Sequence, residues 1–229
     1  MKLSVIIPAY NESQTLRSCV EAVYARNPGL DLEILVVDDA STDSTPDVAA
    51  ALDFPGLKYL RHDSNRGKGA AIRTALPHAT GEFVLIQDAD LEYDPAQYGL
   101  LLEPLESGRA QVVYGSRILA ANPKSTWLFY LGGRTVSFWT NLLYGSSITD
   151  EPTCYKVMPL ALLKSLDLRC TGFEFCPEVT GKLLRRGVKI LEVPISYAPR
   201  SVLEGKKIRF RDGIVALWTL LKIKLTGNM

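Results

Sequence analysis

The sequence predicts an α/β fold in which a mostly parallel sheet is flanked by helices on both faces. Strand-length apolar runs alternate with helical patterns, and these runs show almost no polar alternation, as expected for strands buried on both faces. Polar clusters directly follow the predicted strands. Ligands of such sheets bind beyond the carboxyl ends of the strands, so these clusters are the first candidates for a functional site.

The first half of the chain contains predicted strands at residues 3–7, 33–37, 57–60, 83–86 and 111–114. Helical patterns lie between them at residues 13–26, 45–52, 69–79 and 96–107. Pro46 and Pro95 fall where a first helical turn tolerates proline, with Asp43 or Ser44 and then Asp94 as caps. The second half is less regular. It predicts one or two aromatic helices over residues 126–144, a helix over 173–186, an extended segment over 188–197 and a helix over 211–225.

Composition indicates a globular protein, since 47% of the residues are hydrophobic and 22% are charged. Charge is unevenly distributed: residues 182–224 contain eleven lysines or arginines and three acids, although the whole chain has a net charge of +1. A basic end of this kind indicates a face that meets something anionic. It contains no nucleic-acid-binding motif, so we expect no nucleic-acid partner.

The four cysteines form no CxxC pair, which favours reduced thiols in a cytosolic protein over a disulfide framework or a zinc site. No run of eighteen apolar residues occurs, so we predict no transmembrane helix and only peripheral membrane contact. Residues 211–225 combine apolar residues at helical spacing with flanking Arg and Lys, as in an interfacial helix. The alternative is a helix packed on the domain core, but the aromatic residues of segment 126–144 favour lipid.

Three polar clusters, at residues 8–12, 38–43 and 88–92, follow strands one, two and four. The carboxyl ends of parallel strands share one edge of a sheet, and carboxylates gathered there would repel each other without a cation. In an extended chain Asp88, Asp90 and Glu92 would share a face and offer hard oxygen ligands to Mg²⁺ or Mn²⁺. The alternative, helix capping, needs only Asp94.

The second cluster and the segment after strand three indicate a nucleotide. Asp38 or Asp39 is predicted to accept hydrogen bonds from a base or ribose, with an Asx-type turn as the alternative. Gly67 and Gly69 open a helix beside Arg66 and Lys68, a pattern that favours phosphate at a helix N-terminus.

Together these residues resemble the inverting family 2 glycosyltransferases of the GT-A fold, in the branch of dolichol-phosphate mannose synthase that glycosylates polyprenyl phosphates. The matching segments are residues 5–12, 36–43, 65–69, 88–90, 115–117, 149–150, 197–200 and 204–207. Two departures stand out: Glu92 occupies a position that is usually Gln, and segment 149–155 replaces a stretch rich in serine or glycine. The second departure leaves the identity of the sugar open.

The resemblance implies roles for individual residues. The expected donor-binding residues are Pro8, Tyr10, Asn11, Glu12, Asp38, Asp39, Arg66, Gly67, Lys68, Asp88, Ala89, Arg200 and Lys206. The expected metal ligands are Asp88, Asp90 and Glu92; the acceptor phosphate is assigned to Arg117, Arg134 and Ser137; the catalytic residues are Asp90, Asp150 and Arg117.

The implied activity is metal-dependent, inverting transfer of a hexose from GDP-mannose or a UDP-hexose to a polyprenyl (dolichyl or undecaprenyl) phosphate. Two alternatives stay open: transfer to a soluble or polysaccharide hydroxyl with Asp150 as base, and a catalytically silent nucleotide-binding scaffold. Residues 1–200 would form the GT-A catalytic domain and residues 201–229 a basic loop and an amphipathic helix on the cytoplasmic face of a membrane. An integral-membrane partner protein and a homodimer are further expectations.

Overall fold

A computed structural model describes residues 1–123, 126–200 and 207–228. Its strands are β1 (Lys2–Ala9), β2 (Asp31–Asp38), β3 (Leu57–Arg61), β4 (Phe83–Ile86), β5 (Val112–Ser116), β6 (Lys156–Pro159) and β7 (Ile190–Pro194). Its helices are α1 (Leu16–Arg26), α2 (Thr45–Ala50), α3 (Lys68–Ala75), α4 (Tyr98–Glu106), α5 (Trp127–Tyr144), α6 (Leu160–Ser165), α7 (Phe175–Arg185) and α8 (Phe210–Thr226). Short 3-10 turns follow α3 and precede α4.

The strands form one mixed sheet in the order β3-β2-β1-β4-β6-β5-β7 within the described part of the chain. Four neighbouring pairs are parallel, and only β6 runs antiparallel to its neighbours β4 and β5. Six of the eight residues in each of β1 and β2 are buried, because helices cover both faces of the sheet. The predicted α/β fold with a mostly parallel sheet is therefore confirmed.

Strand β6 and helix α6 are not predicted from the sequence. Strand β6 has only four residues and includes a lysine, Lys156, so it lacks the apolar run that marks the other strands. Lys156 is nevertheless 2% exposed, with its ammonium 3.8 Å from the centre of the Tyr114 ring. The contact with Tyr114 thus allows the charged Lys156 side chain to be buried within a strand.

Helix α8 packs on the domain with one face and exposes the other. Val136 of α5 packs against Ala216 and Leu220 of α8. The Trp139 indole N–H donates to the Leu217 carbonyl at 3.1 Å, and the Tyr144 hydroxyl donates to the Leu220 carbonyl at 2.8 Å. Helix α5 is one continuous helix, which settles the choice between one and two. Across the described ranges, no helix combines the length and the apolar character needed to cross a membrane.

Candidate active site

The sheet order brings the three polar clusters together. Strands β2, β1 and β4 are neighbours, so the segments after them meet at one edge. Because β6 is antiparallel, the residues that precede it, 149–155, reach the same edge as the residues that follow the other strands. Strand β7 is parallel to β5 and delivers Tyr197 and Arg200 there as well.

A cavity of about 1450 Å³ opens at this edge. Its lining includes Pro8, Tyr10, Asn11, Glu12, Asp39, Gly67, Lys68, Asp88, Ala89, Asp90, Glu92, Arg117, Arg134, Asp150 and Arg200. Three predicted site residues, Asp38, Arg66 and Ser137, are described by the structure but do not line the cavity. Lys206 lies outside the described residues.

Each polar cluster contains a non-glycine residue in the left-handed region: Asn11 (φ 50°), Ala40 (φ 59°) and Leu91 (φ 61°). Such residues cost about 1–3 kcal/mol and concentrate at functional sites. The left-handed turn at Leu91 means that Asp88, Asp90 and Glu92 do not alternate along an extended strand, contrary to the expectation from the sequence. The Asn11 carboxamide oxygen accepts the Thr42 amide at 2.8 Å and so joins the first two clusters.

The two aspartates after β2 hold backbone in place. Asp38 is fully buried and accepts from the Ser41 amide at 2.9 Å, and Arg61 pairs with it at 3.1 Å. Asp39 accepts the backbone amides of Arg66 and Gly67, at 2.8 and 2.7 Å. Asp38 therefore supports the turn from beneath, whereas Asp39 lines the cavity and fixes the loop after β3.

The glycines at the start of α3 allow close approach of protein backbone. A Cβ on Gly67 would lie 2.4 Å from the Thr171 carbonyl oxygen, and one on Gly69 would lie 2.7 Å from the Cys170 carbonyl oxygen. The Ala70 amide donates to the Thr171 carbonyl at 3.0 Å. Gly67 and Gly69 therefore make room for the backbone of segment 170–172, and phosphate binding at this helix N-terminus stays a prediction.

Asp88 and Asp90 carry the negative charge of the site. The Lys68 ammonium donates to Asp88. Burial disfavours that ammonium, but the Asp88 carboxylate outweighs this and holds the pKa of Lys68 well above its usual value. Burial, together with the charges of Asp88 and Glu92, raises the pKa of Asp90 to about 7. The ionised form of Asp90 is therefore disfavoured unless a cation lies beside it.

Basic groups from the C-terminal part of the chain bridge the carboxylates of different clusters. The Arg200 guanidinium lies 3.0 Å from Asp90 Oδ2 and 3.2 Å from both carboxylate oxygens of Glu12. Lys207 Nζ lies 2.6 Å from Glu12 Oε1 and also donates to the Tyr10 carbonyl. These contacts join the segment after β1 to the segments that flank residues 201–206.

Glu92 shares Arg200 with Asp90 and also contacts Tyr197. It accepts the Tyr197 hydroxyl and, at 2.7 Å, the Arg200 amide. Within the described ranges, no three His, Cys, Asp or Glu side chains are grouped as metal ligands. Asp88 and Asp90 still fit a divalent cation, because they offer hard carboxylate oxygens and because burial and the neighbouring charges of Asp88 and Glu92 disfavour the bare Asp90 carboxylate. Glu92 as a third ligand stays a prediction.

Arg117 and Asp150 form a buried two-pronged ion pair. Arg117 Nε and Nη2 each lie 2.8 Å from an Asp150 oxygen, and the Arg117 amide donates to the same carboxylate at 2.8 Å. Burial alone would raise the pKa of Asp150, but the Arg117 guanidinium holds it below its usual value. The guanidinium also lies 4.9 Å from the centre of the Tyr197 ring. A carboxylate held in this way is a weak base and a good anchor for Arg117.

The other two residues assigned to the acceptor phosphate differ in position. Arg134 lines the cavity and donates to the Thr149 carbonyl at 3.0 Å. Ser137 is 3% exposed, and its hydroxyl donates to the Gly133 carbonyl at 3.0 Å and accepts the Glu151 amide at 2.9 Å. Ser137 therefore braces the segment that carries Asp150 from behind the cavity wall.

Several residues of the site were not assigned a role from the sequence. Tyr93 and Tyr197 enclose Arg117, and Glu192 accepts the backbone amides of Thr149 and Asp150 at 2.7 and 2.9 Å. Glu151 is fully buried, and burial raises its pKa. A departure from the usual composition of segment 149–155 is the only signal that the sequence offers for Glu151.

Comparison with known proteins identifies the family. The model of glycosyl transferase family 2 matches residues 4–159. An undecaprenyl-phosphate mannosyltransferase of Micrococcus luteus is 32% identical, and the match covers 98% of this chain and 99% of that protein. A low-salt glycan biosynthesis hexosyltransferase of Haloferax volcanii is 30% identical, covering 92% of this chain and 51% of the relative. A dolichol-phosphate mannosyltransferase of Pyrococcus furiosus is 29% identical, and the match covers 91% of this chain and 61% of that protein. The chain thus spans about half the length of the Haloferax relative and about three fifths of the length of the Pyrococcus relative.

Solved structures share the fold. Glucosyl-3-phosphoglycerate synthase from Mycobacterium tuberculosis, in complex with phosphoglyceric acid, has a TM-score of 0.75 at 21% identity, over 98% of this chain and 79% of that one. The same enzyme in complex with Mn²⁺, UDP and glucosyl-3-phosphoglycerate has a TM-score of 0.74 at 19% identity, over 99% of this chain and 79% of that one. With the family match, this likeness confirms the predicted GT-A fold.

Proposed function

Since the chain belongs to glycosyl transferase family 2, we propose that it transfers a hexose from a nucleotide-diphosphate sugar to a polyprenyl phosphate, with inversion at the anomeric carbon. One observation carries the proposal: a single cavity joins the acidic edge at Asp88 and Asp90 to the guanidinium groups of Arg117 and Arg134. Such a cavity suits two anions, a donor diphosphate and an acceptor phosphate, that must be held close together. The names of the Micrococcus and Pyrococcus relatives support the same acceptor class.

The donor lies on the acidic side of the cavity in this proposal. Asp88 and Asp90 would hold Mg²⁺ or Mn²⁺, which supplies positive charge to stabilise the departing diphosphate. Arg200 now pairs with Asp90 and Glu12. We expect it to exchange these carboxylates for the donor diphosphate, since a guanidinium binds phosphate oxygens in the same two-pronged way. GDP-mannose and a UDP-hexose both stay open as donors.

The acceptor needs no protein base. A phosphomonoester has a second pKa of about 6, so its oxygen is already nucleophilic at neutral pH. That oxygen attacks the anomeric carbon, a C–O bond to the acceptor forms, and the bond to the nucleoside diphosphate breaks with its electron pair leaving on the diphosphate. Arg117 and Arg134 hold the acceptor in line, and Asp150 orients Arg117.

The alternatives receive less support. A hydroxyl acceptor needs a base, but Asp150 has a lowered pKa and both of its oxygens accept from Arg117. A silent scaffold would not need the acidic and the cationic groups in one cavity.

A donor panel tests the function. GDP-mannose, UDP-glucose and UDP-galactose, each with Mg²⁺, Mn²⁺ or a chelator, are incubated with and without undecaprenyl phosphate. We expect metal-dependent formation of one hexosyl-phosphoryl-undecaprenol, measured as radiolabel in the organic phase. Transfer only to added oligosaccharides would support the hydroxyl alternative, and no donor turnover with any metal would support the scaffold.

We also propose that α5 and α8 rest on a membrane surface, on the cytoplasmic side. Their exposed faces carry Trp127, Leu128, Leu131, Phe138, Leu142, Phe210, Ile214, Trp218 and Leu225. Most of these side chains fall within about 80° of arc on their helix, and Arg211 and Lys224 lie close by on α8. An integral-membrane partner and a homodimer stay predictions.

The membrane proposal predicts that Trp218→Glu lowers the fraction bound to vesicles at least about tenfold, since an exposed aromatic side chain that would enter the lipid interface is replaced by a charge that anionic lipid repels. Co-sedimentation of the full chain with phosphatidylcholine vesicles, with and without phosphatidylglycerol, measures this. Leu100→Glu is the matched control, because Leu100 is an exposed apolar residue of α4. Equal loss in both variants would contradict the proposed face.

A further inference from the structure

His62, a buried histidine that follows β3, contacts Asp39 from behind the cavity wall. Its Nδ1 lies 2.7 Å from Asp39 Oδ1, and its Nε2 lies 2.8 Å from the Thr74 hydroxyl oxygen. Because a carboxylate oxygen accepts, Nδ1 carries the hydrogen of the bond to Asp39. The imidazole is thus fixed between two partners and acts as a donor to Asp39.

The hydrogen bonds to Asp39 fill most of its acceptor capacity. Oδ1 accepts the Arg66 amide at 2.8 Å as well as His62, and Oδ2 accepts the Gly67 amide at 2.7 Å. A carboxylate has about four acceptor sites, two on each oxygen. Within the described part of the chain, Oδ1 is therefore saturated and Oδ2 has one acceptor site left.

The position of Asp39 in the sheet suits the base of a nucleotide. Asp39 follows β2, and its amide donates to the Ala9 carbonyl at the end of β1 at 2.8 Å. Asp88 and Asp90 follow β4, on the far side of β1. Since two strand spacings amount to about 10 Å, a donor whose diphosphate lies at Asp88 and Asp90 can extend its base to Asp39 within the same cavity.

We propose that His62 sets the base specificity of the donor site, so that a uridine diphosphate sugar is accepted and a guanosine diphosphate sugar is rejected. Uracil presents one N–H donor, at N3, which matches the single acceptor site left on Asp39 Oδ2. Guanine presents two neighbouring donors, N1–H and the N2 amino group, and a carboxylate receives this pair only with a free site on each oxygen. With Oδ1 saturated, one guanine N–H would be buried without a partner.

This proposal rests on the proposed function and narrows its donor to the uridine class. Direct binding of nucleotides to the full chain tests it. Calorimetric titrations with UDP and with GDP, both in the presence of Mn²⁺, give the two Kd values without any transfer reaction. We expect the Kd for GDP to exceed that for UDP at least about fivefold, the smallest effect of one unpaired buried donor. Any smaller ratio overturns the proposal.

Two variants of similar size separate the hydrogen bond of His62 from its packing. His62→Asn keeps an amide N–H near the position of Nδ1, whereas His62→Leu has no donor. We expect His62→Asn to keep the preference for UDP and His62→Leu to bring the ratio of the two Kd values below about twofold, because Oδ1 regains an acceptor site. A general loosening of the fold would weaken UDP and GDP alike and leave the ratio unchanged.

Thr74→Val is the matched control. Thr74 contacts the other imidazole nitrogen and does not line the cavity, so this variant should keep the wild-type ratio. A wild-type ratio in folded His62→Leu, or a lost preference in His62→Asn or Thr74→Val, overturns the role of His62 as the selecting donor.

Transfer assays separate this proposal from the proposed function. A preference for UDP in binding, without hexosyl transfer from any donor to undecaprenyl phosphate, would keep the role of His62 and overturn the function. Transfer from GDP-mannose in preference to UDP-glucose and UDP-galactose would keep the function and overturn the role of His62.

Discussion

We expect Asp90→Asn to lower kcat/KM for hexosyl transfer at least about 10³-fold, which corresponds to roughly 4 kcal/mol of lost transition-state stabilisation. Asp90 is a carboxylate at the centre of the acidic edge, where the charges of Asp88 and Glu92 surround it. Without its charge the site binds a divalent cation poorly, and the departing diphosphate keeps its full negative charge. Steady-state transfer and calorimetric titration with Mn²⁺ measure the two consequences separately.

Asp94→Asn is the control for this prediction. Asp94 lies four residues further along, caps the 3-10 turn before α4 through the Ala96 amide, and does not line the cavity. Asparagine can also act as an N-cap, so this variant should keep both wild-type Mn²⁺ affinity and wild-type turnover. An Asp90→Asn enzyme that retained a tenth of wild-type activity with unchanged Mn²⁺ affinity would show that Asp90 is not a metal ligand.

The second large effect is expected for Arg117→Lys, which should lower kcat/KM for the polyprenyl phosphate about 10²- to 10³-fold. A lysine ammonium cannot reproduce the two-pronged contact that the Arg117 guanidinium makes with Asp150, so the cation would no longer be held in place. The KM for the nucleotide sugar should change only a few-fold, because the donor lies on the acidic side. Separate titrations of donor and acceptor measure the difference.

Two companion variants make this result specific. Arg61→Lys alters another Arg–Asp pair, with Asp38, that lies outside the cavity, and should leave the acceptor KM unchanged. Asp150→Asn should impair acceptor binding less than Arg117→Lys does, with the pH profile of kcat unchanged. If Asp150→Asn instead abolished transfer and removed the acidic limb of that profile, Asp150 would be a general base and the acceptor a hydroxyl.

Much of the fold follows from local patterns in the first half of the chain. Strands β1, β2 and β4 each contain an unbroken apolar stretch, and a parallel arrangement alone places their carboxyl ends at one edge. Asp39, Asp88 and Asp90 therefore lie in one cavity, as the sequence predicts. The same reasoning could not recognise β6, whose four residues include a buried lysine.

Residue type proved a poor guide to which polar groups face the cavity. Asp38 and Asp39 are adjacent acids, yet the first is buried beneath the turn. Gly67 and Gly69 permit close approach, but the approaching group is the backbone of segment 170–172, a hundred residues further along the chain. Only tertiary contacts decide which partner a polar side chain or a glycine meets.

The sequence by itself determined the α/β architecture, the acidic edge and its resemblance to family 2 glycosyltransferases, because strand periodicity and the segments that follow strands are local properties. The tertiary structure alone decided that β6 is antiparallel and that Asp150 is bound to Arg117. It also showed that α8 packs on α5. These features depend on groups far apart in the chain, whose pairing is set by burial and charge in the folded protein and not by neighbours in sequence.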